Sequence, residues 1–252
     1  MRKVWERHQI KPNSFDEYYT TYIECEQIFR PIINKLMDKR IHCPADDENS
    51  NIVKWLKDNT NSVITYSCLP IDMNSEEAHK LMLEANMVIT NPPYSMRHWR
   101  PLFIWLNDVY VDEYHKDYFI WGPMPIAWVG ELFQRIKYSY VLLKGGKSVG
   151  TYIRPDGSMK AANSYYYCSF KTPRPKLKYK EPKTQIKYHN GVPVFDRCEN
   201  VPPTYGGWMY VPCSYINFIN LNDYELDCTE HWQIPGKFVR WKIRRKRKSH
   251  DK

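Results

Sequence analysis

Asn86-Met87-Val88-Ile89-Thr90-Asn91-Pro92-Pro93-Tyr94 is the stretch on which the fold turns. A short apolar run predicts a buried strand over residues 85–90, ending at Asn91. Two prolines follow. They fix φ and remove two backbone donors, so the chain leaves the sheet in a stiff loop. Towards the N-terminus the same punctuation repeats. Residues 75–84 predict a helix, 62–66 a strand, and Ile52, Val53, Trp55 and Leu56 a second helix behind the acidic turn Asp46-Asp47-Glu48-Asn49-Ser50. Residues 40–43 predict a strand that Pro44 stops. Tyr22, Ile23, Ile28, Phe29, Ile32, Ile33, Leu36 and Met37 have the spacing of one amphipathic helix within residues 14–38. Strands alternating with helices imply the α/β class, a mostly parallel sheet covered on both faces. In such a sheet ligands bind at the carboxyl ends of strands, where this loop lies.

Towards the C-terminus the alternation continues through a helix at 98–106, a strand at 117–121 and a helix at 127–136. It then changes character. Residues 149–153, the turn Arg154-Pro155-Asp156-Gly157 and residues 162–170 predict a β-hairpin. Residues 171–207 are rich in Pro, Lys and Tyr with little periodicity, which predicts extended surface segments. A boundary near Gly145-Gly146 divides a core, residues 1–146, from an appended β-rich and irregular region, residues 147–252.

The formal net charge of +9 favours a polyanion as partner over an acidic protein or a neutral metabolite. Part of it sits in Lys242-Ile243-Arg244-Arg245-Lys246-Arg247-Lys248, a run that reads equally as a solvated tail or as weak phosphate contact. Seven scattered cysteines form none of the close pairs of structural zinc sites or redox dithiols, so no metal is expected and the thiols are expected to be reduced in a cytoplasmic protein. No apolar run approaches the roughly 20 residues that cross a bilayer, so no membrane partner is expected, and the first residues lack a signal peptide's apolar stretch.

The Asn-Pro-Pro-Tyr loop has a specific chemical competence. The exocyclic amino nitrogen of adenine is a poor nucleophile because its lone pair is delocalised into the ring. A catalyst must accept its protons and favour tetrahedral geometry. The side-chain oxygen of Asn91 can accept one proton and a loop carbonyl, aimed by Pro92 and Pro93, the other, while Tyr94 can stack on the base. The bland alternative is a Pro-Pro turn closing a core strand. Loops of this kind also occur in enzymes that methylate glutamine amides or RNA bases.

The order of motifs resembles the EcoRI-type adenine-specific DNA methyltransferases. Asp16-Glu17-Tyr18-Tyr19-Thr20 is similar to that family's Asp-Glu-Phe-Tyr-Thr segment, Cys43-Pro44-Ala45-Asp46-Asp47 with Ser50-Asn51 to its acidic cofactor loop, and Thr90 to Ser95 to its Thr-Asn-Pro-Pro-Phe-Ser. Arg154-Pro155-Asp156-Gly157 fits a turn in its later sheet, and Met209-Tyr210-Val211-Pro212 to Phe218 is similar to its closing segment. The chain departs from the family at Gly122-Pro123-Met124-Pro125 and at Tyr210. The resemblance implies a class I, Rossmann-like methyltransferase core that binds S-adenosyl-L-methionine and modifies duplex DNA, as in restriction-modification. It implies cofactor contacts at Tyr18, Tyr19, Thr20, Cys43, Pro44, Asp46, Asp47 and Asn91. Asp72, about twenty residues beyond the acidic loop, is a candidate ribose ligand.

A sheet that holds a cofactor and an extruded adenine has few residues left to read neighbouring bases. That task falls to the appended region, where Arg174, Lys176, Lys178, Lys180, Lys183 and Lys187 suit phosphates, and Gln185 and Asn190 suit base edges. A solvated Pro-rich connector is the alternative there. Methyl transfer to RNA or to a protein amide, and a catalytically silent DNA-binding relative, are the rival functions. The sequence leaves the oligomeric state open.

Overall fold

The computed structural model describes residues 19–68, 71–93, 95–122, 130–140, 143–144, 147–148, 150–154, 156–162, 165–173, 176–233 and 239–246. It forms two compact units. The first comprises Met1–Pro123 and Val141–Phe170, the second Met124–Tyr140 and Lys171–Lys252. The division therefore does not follow the expected boundary at residue 146, which itself lies outside the described residues.

Tyr19–Thr20, expected within the first helix, form a strand, but from residue 40 to residue 122 the elements of the first unit follow the predicted alternation. They are β1 (Tyr19–Thr20), α1 (Tyr22–Phe29), β2 (Arg40–Pro44), α2 (Asn51–Asn59), β3 (Val63–Ser67), α3 (Glu76–Glu84), β4 (Met87–Thr90), α4 (Met96–Trp105), β5 (Asp117–Gly122), β6 (Gly150–Ile153), β7 (Met159–Ala162) and β8 (Tyr165–Cys168). Side-chain caps set three helix starts. Thr21, Ser50 and Ser75 accept from Glu24 N, Ile52 N and Ala78 N respectively. The first helix is shorter than its apolar spacing predicts. Pro31 supplies no backbone donor, so the chain passes through a 3-10 turn at Arg30–Ile32 into a single helical turn at Ile33–Leu36.

β2 runs parallel to both β3 and β4, and β4 parallel to β5; β8 pairs antiparallel with β5, giving the neighbour order β3-β2-β4-β5-β8. Both faces are covered, and ring contacts along β5 show how. Phe29 of α1 meets Phe119 and Trp121, whereas Phe103 of α4 meets Tyr118, which immediately precedes Phe119 and so points to the opposite face. A strand buried on both faces reads as continuously apolar, and Tyr118 to Trp121 are all fully buried. Gly122 ends β5 where a Cβ would lie 2.6 Å from the Trp99 ring, so its bare backbone makes room for α4. Trp99 Nε1 in turn donates to Trp121 O at 2.8 Å.

The predicted hairpin forms around the expected turn but with a different second strand. β6 pairs with β7, Met159↔Ile153 to Ala162↔Gly150, and Gly157 takes φ 81°. The run predicted as its partner instead contains β8, which joins the main sheet. Tyr166 and Tyr167 explain why: both are fully buried, one against Phe119 and Trp121, the other against Trp99 and Phe103.

The second unit contains β9 (Lys187–His189), β10 (Val192–Val194), β11 (Met209–Pro212), β12 (Tyr224–Gln233) and β13 (Val239–Arg245), ordered β9-β10-β11-β13-β12. Only β10 and β11 run parallel. The Pro- and Lys-rich stretch is thus partly a sheet edge: Asn190 and Gly191, at φ 49° and 76°, form a two-residue turn between β9 and β10. Trp241 and Ile243 are buried, and Trp241 stacks on Phe133 with ring centroids 4.8 Å apart. Among the described residues no helix is long and apolar enough to cross a membrane.

Candidate functional site

The ladders part at the middle of the parallel sheet. β2 stays paired with β3 as far as Pro44↔Ser67, and β4 with β5 as far as Thr90↔Ile120, but the β2–β4 ladder ends at His42↔Val88. Since β3 lies on one side of β2 and β4 on the other, the strand order reverses here. Such a reversal opens a crevice outside the carboxyl ends of the two strands. Beyond the last ladder pair, Thr90 Oγ1 donates to Pro44 O and holds the strand ends together.

The turn after β2 carries the acidic residues. Ala45 adopts φ 67°, the left-handed conformation usually left to glycine, and bends the chain sharply out of the sheet. Asp46 follows. Its Oδ1 accepts from Ser50 Oγ at 2.5 Å, while its Oδ2 is buried with no hydrogen-bond partner among the described residues. Burial pushes this carboxyl up to about 7; the Ser50 hydrogen bond opposes the rise and the charge of Asp47 adds to it. Asp47 is arranged differently. It is exposed and its Oδ1 accepts from Asn49 N and Ser50 N, at 2.8 and 3.0 Å, closing the local turn. Cys43 and Pro44 are buried in the strand itself.

Asn91 opens the loop after β4. Its Nδ2 donates to Thr20 Oγ1 at 3.1 Å, so the acceptor end of the amide faces away from Thr20. Thr20 is buried, and its carbonyl accepts from Asn51 Nδ2 at 2.9 Å. One threonine of β1 therefore joins the catalytic-loop candidate to the start of α2, the helix that follows the acidic turn. Pro92 is buried and Pro93 exposed. Tyr19 is half exposed; Tyr18 and Tyr94 lie outside the described residues.

Asp72 is not tied to this cluster. It is exposed and accepts from Asn74 N at 2.9 Å in its own turn before α3, while Asn74 Nδ2 donates to His98 O. The sequence reasoning gave no weight to Ala45, Thr90 or Asn51 as individual residues. Only Asn51 carried a local signal, following the capping serine. It also passed over two buried polar groups with structural work. Glu24 accepts from Tyr166 Oη at 2.5 Å and Thr151 N at 3.2 Å, joining α1 to β8 and β6. His42 meets the Thr65 and Ser67 hydroxyls at 2.9 and 3.1 Å, and burial lowers it to about 4.

In the second unit Lys176, Lys178, Lys180, Lys183, Gln185 and Lys187 are all exposed, and Arg174 lies outside the described residues. Their stretch is anchored. Lys180 N donates to Glu199 O and Asn200 Nδ2 donates to Lys180 O, both at 2.8 Å. Asn190 is exposed too, and its left-handed turn accounts for its presence. The basic run near the C-terminus is not a solvated tail as far as residue 245, because it forms most of β13. There Lys242 pairs with Asp227 and Glu230 of β12 at 3.2 and 2.7 Å, and Arg244 pairs with Glu225. Both cations also lie over the Trp208 ring.

Among the described residues no group of three or more His, Cys, Asp or Glu side chains is placed to hold a metal ion. Compared with protein-family models, curated proteins and solved structures, the chain finds no match.

Proposed function

We propose that this chain is an S-adenosylmethionine-dependent methyltransferase of class I, Rossmann-like architecture, acting on the N6 amino group of adenine in DNA. The observation that carries the reading is the convergence at the strand-order reversal. Numbered in chain order, the four parallel strands lie 2-1-3-4, and Asp46 and Asn91 follow the two strands that flank the reversal. Ligands of doubly wound sheets bind at that place.

The residues fit the cofactor. A ribose and an ammonium offer hydrogen-bond donors, and the buried Oδ2 of Asp46 is an acceptor with no partner among the described residues. Thr20 and Tyr19 lie with Asn91 beside the same strand ends. Cys43 and Pro44 contribute backbone position rather than side-chain chemistry. When bound, S-adenosylmethionine supplies an electrophilic methyl group. Asn91 Oδ1 would accept a hydrogen bond from the adenine amino group and, with a carbonyl of the Pro-Pro loop accepting a second, draw its lone pair out of the ring towards the methyl group. Thr20 holds the Asn91 amide in orientation, and Pro92 and Pro93 keep the loop stiff. Tyr94 stacks on the base once it leaves the duplex. The charge of +9 and the exposed lysines between 176 and 187 support a nucleic-acid substrate.

The test is direct. The purified chain is incubated with cofactor labelled in its methyl group and with duplex DNA, RNA or protein extract, and modified bases are mapped. Label in N6-methyladenine of DNA is the expected result. Label confined to RNA or to glutamine amides would move the reading to those substrates, and no label in any polymer would end it.

A further inference from the structure

The second unit contains a cleft of about 470 Å³ whose lining is unlike that of the strand-end site. Rings and cations share it. Tyr179, Tyr215, Phe218 and Tyr224 supply aromatic surface, Lys176 and Arg245 supply charge, and among the described residues the lining includes no carboxylate. The two kinds of residue are graded by depth. Tyr215 and Tyr224 are buried, Phe218 is half-buried, and Tyr179, Lys176 and Arg245 are exposed. Lys176 has no ion-pair partner among the described residues, in contrast to Lys242 with its two carboxylates. The segment bearing Lys176 and Tyr179 is held in place by the Lys180 backbone bonds to Glu199 and Asn200.

We propose that this cleft takes a nucleotide of a DNA strand, its unstacked base lying against the rings and its phosphate against Lys176 and Arg245. The volume lies within the usual range for small-ligand sites. Aromatic faces accept any base by stacking, and a cationic rim follows the backbone, which is the pairing that sequence-tolerant single-strand sites use. A small apolar ligand would leave the cations unused. A carboxylate metabolite would find them but not the rings. The proposal deepens the reading of DNA as substrate and rests on it, adding a strand-holding site distinct from the base that is methylated.

The experiment uses the full chain without cofactor and a fluorescein-labelled 12-mer of oligothymidylate, which contains no adenine and so no methyl acceptor. Anisotropy titrations compare the parent with Tyr179→Ala, Phe218→Ala and Arg245→Gln. Each ring deletion should weaken binding by about fivefold or more. Arg245→Gln should lower the salt slope by about 0.7. Tyr179→Trp, which keeps a stacking face, should restore the affinity that Tyr179→Ala loses, and a folding defect would not be restored. Affinity equal to the parent's in both ring deletions overturns the cleft proposal, even if the chain methylates DNA. Ring-dependent binding in a chain that transfers no methyl group upholds the cleft and removes the catalytic reading instead.

Discussion

The carboxyl ends of β2 and β4 and the paired strands β12 and β13 both gather polar side chains, and they leave them in opposite states. On β12 and β13 the charges answer one another: Lys242 has Asp227 and Glu230, Arg244 has Glu225, and buried Arg240 spends its donors on the carbonyls of Phe195 and Asp196. At the strand ends the accounting is left open. Asp46 keeps a buried oxygen without a hydrogen-bond partner among the described residues, and Ala45 holds a left-handed backbone. Unsatisfied capacity and backbone strain cost stability wherever they occur, so their joint presence at a strand-order reversal points to a ligand that repays them. Mutual neutralisation on the other sheet points to architecture.

The largest effect should come from Asn91. If Asn91→Ala removes one positioned acceptor of the transition state, methyl transfer falls by about 10² to 10³ while cofactor affinity measured by calorimetry stays near the parent's. Near-normal turnover would return the Pro-Pro loop to a purely structural role.

Next come the lysines, which set the exposed stretch directly against β13. Replacing Lys178, Lys180 and Lys183 together with Ala should lower the salt slope of DNA binding by about one per lost phosphate contact. Replacing Lys242 and Arg244 should leave that slope as it was, because their charge is already paired. An equal change in both variants would erase the contrast between free and neutralised cations.

The pH dependence of cofactor binding tests Asp46. Its carboxyl is raised, so the free folded protein holds the proton between about 4 and 7, and folding stability falls as pH rises through that window. A ligand that donates to the carboxylate competes with the proton. Affinity should therefore rise with pH up to about 7 and level off above it. Asp46→Asn should flatten the profile and weaken binding at pH 8. A parent profile that is already flat would detach Asp46 from the ligand.

The smallest effect concerns Ala45. Relief of the left-handed strain, about 1 to 2 kcal/mol, is partly cancelled by the added freedom of glycine in the unfolded chain. Ala45→Gly should stabilise the fold by under about 1 kcal/mol, read as a midpoint shift in thermal unfolding. Destabilisation would mean that the Ala45 methyl has a packing role.

Much of this was legible in the residues because it is local. The period of apolar residues marked the strands and helices between residues 40 and 122, serines stood at two helix starts, and Asn91-Pro92-Pro93 announced where β4 would end. The Asn190-Gly191 pair carries a hairpin-turn signal as well, but the reading of residues 171–207 as extended segments, with Asn190 suited to base edges, passed over it. Local signals also misled where a distant partner outweighed them. Residues 162–170 look like the return strand of a hairpin, yet Tyr165–Cys168 pair with β5 in the main sheet, where Tyr166 and Tyr167 are fully buried.

By itself, then, the sequence determined the elements and the chemical competence of their ends, since propensity, capping and proline geometry act over a few residues. Only the tertiary structure decided that β2 and β4 lie side by side with the strand order reversing between them, that Thr20 reaches both Asn91 and Asn51, and that the cations of β13 find carboxylates on β12. Strand order, like charge pairing, depends on which surfaces bury one another across long separations in the chain, and no window of sequence contains both partners.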